Sequence, residues 1–86
     1  MDIRKLHYFV TLVRERHYSR AAKILYISQP SLSNAIKKLE DEVGFKLLAR
    51  NTRSLELTEA GSLFYNRSVD VIRMYKNMIK ELKEIK

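Results

Sequence analysis

The stretch Ser28-Gln29-Pro30-Ser31-Leu32-Ser33-Asn34-Ala35-Ile36-Lys37 constrains this chain most, because it reads as the start of a helix built to be approached end-on. Ser28 can serve as N-cap, and Pro30 sits in the first turn, where a missing N–H costs nothing. Ile27 before the cap and Leu32 inside it are spaced for a hydrophobic staple, which sets the direction in which the chain enters the helix. Further on, Leu32, Ala35, Ile36, Leu39 and Val43 recur on one apolar stripe, while Pro30, Asn34, Lys37 and Asp41 fall near the opposite face and Ser33 lies at the border. The exposed first turns therefore carry hydroxyls, amides and a cation, with Gln29 near the tip, a set that suits base edges and phosphates. Glu40-Asp41-Glu42 places three carboxylates in the second half, which predicts that only the N-terminal half can approach a polyanion.

The flanking sequence gives this helix its setting. Ser19 reads as the N-cap of a short helix in which Ala21 and Ala22 allow a close crossing with the next one, and Leu25 and Ile27 plug the turn. Two closely spaced helices with a polar second N-terminus are the signature of a helix-turn-helix. Nearer the start, Asp2 can cap a helix whose Ile3, Leu6, Phe9, Val10 and Val13 form one stripe, and residues 14–17 end it in solvent. That helix is expected behind the other two, completing a three-helix core. Gly44 fits a left-handed residue after the long helix. Phe45, Leu47 and Leu48 then read as a strand, Asn51-Thr52-Arg53-Ser54 as a turn, and Leu55-Glu56-Leu57 as a second strand alternating with period two. The result is a small hairpin, or wing, with a basic tip.

Thr58 is the next expected N-cap, with Glu59 in the first turn. From there to Lys86 Gly61 is the only helix breaker. Leu57, Phe64, Val71, Met78 and Ile85 fall at one heptad position, and Gly61, Ser68, Tyr75 and Leu82 at the other. Such a helix would be about 40 Å long, more than a small core can cover, so it is expected to pair with a second copy as well as to cover its own domain.

Charge and composition narrow the partners. Lys and Arg number 17 against 10 Asp and Glu, a net charge of +7 that favours a polyanion, whether nucleic acid or an anionic membrane surface. Lys76, Lys80, Lys83 and Lys86 beside apolar residues would suit a bilayer, but Asp70, Glu81 and Glu84 leave that segment only weakly basic. The apolar run from Tyr8 to Val13 is too short for a signal segment or a span. With no cysteine and two distant histidines there is no metal-ligand pattern, and no nucleophile motif or Gly-rich phosphate loop is present. No metal, cofactor or catalysis is expected.

Taken together and in order, Tyr8-Phe9-Val10, Ser19-Arg20-Ala21-Ala22, Ser28 to Ser33, Lys38-Leu39-Glu40, Gly44, Arg50 and Leu57-Thr58-Glu59-Ala60-Gly61 resemble the amino-terminal domain of LysR-type transcriptional regulators. The resemblance covers nearly the whole chain. It implies a mainly α fold: a winged helix-turn-helix over residues 1–57, made of a three-helix core and a small β-hairpin wing, followed by a long linker and dimerisation helix over residues 58–86. It implies a homodimer that binds double-stranded promoter DNA in the bacterial cytoplasm, associated with the nucleoid, and regulates transcription. A small-molecule co-inducer would act only through a further domain not present here.

Carried over residue by residue, the resemblance gives base-edge contacts to Gln29, Pro30, Ser33 and Asn34. Phosphate contacts fall to Ser31, Lys37, Arg50, Thr52 and Arg53, and the dimer seam to Phe64, Val71, Tyr75, Met78 and Leu82. Two positions depart from the family's common pattern: Asn34, where arginine is frequent, and Ser54, where glycine often occupies the wing tip. Asparagine can form a bidentate pair with adenine, whereas arginine prefers guanine, so this chain's preferred sequence is its own.

Overall fold

Asp2, Ser28 and Thr58 each accept a hydrogen bond from a backbone N–H in the first turn of a helix, from Lys5, Ser31 and Gly61 respectively, as their place in the sequence leads one to expect. The computed structural model describes residues 1–49 and 55–86. In it α1 (Ile3–Glu15), α2 (Tyr18–Leu25), α3 (Gln29–Val43), β1 (Leu48–Ala49), β2 (Glu56–Leu57) and α4 (Glu59–Lys83) follow one another.

The second helix starts earlier than the serine at 19 suggests. Its N-cap is His17, whose Nδ1 accepts from the Arg20 N–H at 3.3 Å. The imidazole nitrogen accepts there as a serine oxygen would. Ser19 therefore lies inside α2, with its hydroxyl free for another partner. Helices α1, α2 and α3 all end on left-handed residues, Arg16 (φ 55°), Tyr26 (φ 58°) and Gly44 (φ 79°), whose N–H groups return to carbonyls of the last turn.

Phe9, Leu12, Val13, Ala21, Ala22, Leu32, Ile36, Leu39 and Leu47 form the buried core of the three-helix unit. Ala21 and Ala22, both buried, let α2 cross close to its neighbours. Leu12 is fully buried although it lies off the expected stripe of α1. Ile3 and Leu6, which lie on that stripe, are only half-buried and line a shallow apolar groove beside Phe64 and Val71. The stripe splits because α1 packs on more than one side, against α2 and α3 and against α4, which it meets through Phe9.

The strand pair is shorter than the sequence suggests. β1 and β2 are antiparallel with Leu48 opposite Leu57 and Ala49 opposite Glu56. Leu47 alone of the preceding stretch is buried, and Phe45 is exposed to 65%. Residues 50–54, which include the expected turn at 51–54, lie outside the described residues.

At 1.5 Å per residue α4 is about 37 Å long, and it gives the molecule a longest dimension of 52 Å against 19 Å across its thinnest. Its first half belongs to the core: Gly61, Ser68 and Ile72 are buried. Phe64, expected in the dimer seam, packs edge-to-face on Phe9, with centroids 5.3 Å apart and planes at 79°. That geometry uses the ring within its own chain.

Candidate nucleic-acid interface

α3 divides its residues cleanly between core and solvent. Leu32, Ile36 and Leu39 are buried, and Gln29, Pro30, Ser31, Ser33, Asn34 and Lys37 are all exposed. The four residues expected to meet base edges, and two of those expected to meet phosphate, thus share the outer side of the helix's first turns. Ile27 and Leu32 both join the core at the turn, which holds the tip of α3 at a fixed angle to α2.

Local hydrogen bonds organise the tip. Ser28 Oγ accepts from the Ser31 N–H at 3.1 Å and donates to Ser31 Oγ at 2.7 Å, a bond that does not use the proton of the exposed Ser31 hydroxyl. Ser19, from inside α2, donates its hydroxyl to Gln29 Oε1 at 2.8 Å. The α3 N-terminus adds the positive end of the helix dipole, and no carboxylate occurs between Tyr18 and Leu39.

The three carboxylates of the second half, read as one repelling cluster, turn out to have three different roles. Glu40 faces inward, its side chain 10% exposed, and its Oε2 accepts from the Leu47 N–H at 2.8 Å and the Leu48 N–H at 3.3 Å. Glu42 is bound by Lys5 and by the Met1 ammonium, and the Lys5 hydrogen bond, with that of the ammonium, holds its carboxyl below the ordinary range. Asp41 remains exposed on the outer side. The repulsive charge there is smaller than the sequence suggests, and Glu40 serves as the bracket between α3 and β1.

Replacing Glu40 with alanine would leave two backbone donors without a partner. The expected loss is about 1–3 kcal/mol of unfolding free energy, with Glu40→Gln losing less because it keeps one acceptor oxygen. Urea denaturation reads this as a lower midpoint at unchanged slope.

Arg50, Thr52 and Arg53, the expected backbone contacts of the wing, lie outside the described residues. Of the expected seam, Val71, Tyr75, Met78 and Leu82 are exposed on α4, between 45% and 56%. Ile85 continues their alternating four- and three-residue spacing and is also exposed, at 73%. The roles of Ser19 and Glu40 escaped the sequence reading. The sequence points to Ser19 as the N-cap of α2, whereas His17 takes that place. Glu40 was hidden among like charges, and its position one residue after the buried Leu39 was the only hint.

The comparisons with known proteins agree with this geometry. Residues 3–62 match the family model described as bacterial regulatory helix-turn-helix protein, lysR family. The chain is 54% identical over 74 residues to the HTH-type transcriptional regulator BudR of Klebsiella aerogenes, covering 86% of this chain and 52% of that protein. It is 45% identical over 82 residues to the DNA-binding transcriptional dual regulator OxyR of Escherichia coli, covering 95% of this chain and 27% of that one. It thus spans between a quarter and about half of the length of these curated relatives. Among solved structures, the BenM_DBD/catB site 1 DNA complex superposes with a TM-score of 0.94 at 38% identity, covering 99% of this chain and 94% of that one. With the family model matched over most of its length and the helix-turn-helix in the matching place, this chain belongs to the LysR family of bacterial regulatory helix-turn-helix proteins.

Proposed function

We propose that the chain is a sequence-specific reader of double-stranded DNA that works as a symmetric dimer and regulates transcription from promoters in the bacterial cytoplasm. The observation that carries this reading is the outer side of α3, where Gln29, Pro30, Ser33 and Asn34 stand exposed together over a buried apolar face. The DNA complex of BenM_DBD, which shares the fold throughout, supports it. Residues 1–57 carry the reading head and residues 58–86 the linker helix, whose first turns also close the core.

The chemistry is binding alone. Side chains at the α3 tip enter the major groove and meet base edges, while Ser31, Lys37 and the cations Arg50 and Arg53 meet phosphates. Phosphate contacts supply much of the affinity and its salt dependence, and base contacts supply the discrimination. Met78, Leu82 and their neighbours on the far half of α4 pair with a second copy, so that two heads meet the two halves of an interrupted inverted repeat. Any response to a small molecule would come from a further domain of the whole regulator.

Selection of bound sites from a random duplex pool tests the reading directly, because it should return a dyad-symmetric site. On that site Gln29→Ala and Asn34→Ala should each lower the ratio of specific to random binding by about 1–3 kcal/mol, with random-duplex affinity nearly unchanged. Equal losses on both duplexes would remove these side chains from base readout.

A further inference from the structure

We infer that Ser19 is a positioning residue for sequence readout, turning the Gln29 amide so that its NH₂ group, and not its oxygen, is offered to the bases. This inference rests on the reading of α3 given above. Ser19 is the second residue of α2 and half-buried, whereas Gln29 is exposed at the first position of α3. Their side chains meet across the helix-turn-helix, with Ser19 Oγ donating to Gln29 Oε1 at 2.8 Å.

The consequence follows from what a carboxamide can do. It carries one acceptor oxygen and two N–H donors, and its pairing with adenine in the major groove uses both ends: the oxygen accepts from N6 and the nitrogen donates to N7. With the oxygen turned toward Ser19, the amide presents a donor. Donors match major-groove acceptors: N7 of either purine, O6 of guanine and O4 of thymine. They do not match the N6 and N4 amino groups. Gln29 therefore reads an acceptor edge, for which we take N7, the acceptor that the purine of every base pair carries, and Ser19 decides this without touching DNA.

The arrangement also explains why the hydroxyl is available. Because His17 caps α2, Ser19 is not needed for the first-turn N–H groups.

The experiment uses the selected duplex with each purine in turn replaced by its 7-deaza analogue, which lacks N7, and compares the parent chain with Ser19→Ala, Ser19→Thr and Gln29→Ala. The parent should lose about tenfold in affinity at one purine per half-site, the size of one hydrogen bond lost at a desolvated contact. Gln29→Ala should show no sensitivity at that purine. Ser19→Ala should lose most of the sensitivity and tolerate exchange of that base, whereas Ser19→Thr, which keeps the hydroxyl, should restore both. Thermal midpoints should stay level across the set, and random-duplex affinity should stay level for Ser19→Ala and Ser19→Thr. If the parent and Ser19→Ala respond alike to the deaza substitution, the inference fails and the reading of α3 stands. If the parent shows no preference for any duplex sequence, both fail together.

Discussion

Replacing Gly61 with alanine should unfold a large part of the population at physiological temperature. A Cβ built on Gly61 would lie 1.9 Å from the Leu47 carbonyl oxygen and 2.9 Å from its carbon, both backbone atoms that no rotamer change can move aside. Van der Waals contact needs well over 3 Å, so either the first turn of α4 or the segment leading into β1 must shift. Neither shift is cheap. The Leu47 carbonyl accepts the Thr58 N–H at 3.0 Å, Thr58 Oγ1 donates to the Lys46 carbonyl at 2.6 Å, and the Leu47 N–H is held by Glu40. Overpacking usually costs about 1–3 kcal/mol, and a clash confined between backbone segments should lie at or beyond the top of that range. In a domain of this size the midpoint should then fall by about 12 °C or more. Gly44→Ala is the informative control. It meets nothing within 4 Å but has φ at 79°, so its cost is conformational strain alone, about 1–2 kcal/mol. Calorimetry that finds Gly61→Ala no worse than Gly44→Ala would show that the close approach is relieved elsewhere.

The second large effect is expected at the far end of the same helix. Val71, Tyr75, Met78, Leu82 and Ile85 follow a strict alternation of four and three residues and remain exposed, the pattern of a helix seam that lacks its mate. Met78→Asp places a carboxylate in the middle of that seam, where pairing would desolvate it without a partner. Sedimentation should show a dimer becoming a monomer. Affinity for a duplex carrying both half-sites should fall by about a hundredfold or more, because the second head no longer binds at a high effective concentration. Affinity for a single half-site should stay within a factor of about two, since Met78 is remote from the α3 tip. A Met78→Asp chain that sediments as a dimer would move the seam to another surface.

Much of this molecule was legible in its sequence, and the misses share a cause. The caps at Asp2, Ser28 and Thr58 are local devices in which a short polar side chain serves the next turn, so adjacent residues suffice to reveal them. The exposure of Gln29, Pro30, Ser33 and Asn34 was legible because α3 has one buried stripe, and periodicity alone assigns the remaining residues to solvent. Whatever depended on a distant partner was not legible. Leu12 is buried because α1 packs on more than one side, Phe64 packs on Phe9, and Glu40 is drawn inward by amides seven and eight residues away. Gly61 appeared at a heptad position, and periodicity could not distinguish a place in an intermolecular seam from the close approach of the chain's own backbone. The heptad pattern runs continuously along α4, but the core uses its first half and leaves only the second exposed.

The bracket formed by Glu40 has a mechanical consequence. One carboxylate ties the shaft of α3 to Leu47, and Leu47 is clasped in turn by Thr58 and lies against Gly61 at the root of α4. Beyond that root neither glycine nor proline interrupts the rod. In a joined pair the gap between the two reading tips is therefore set as in a caliper, by rigid arms and one crossing angle with no pliable tether. Half-sites moved a few base pairs closer or farther apart would have to bend the DNA, because no glycine or proline after Gly61 lets the rod absorb the difference.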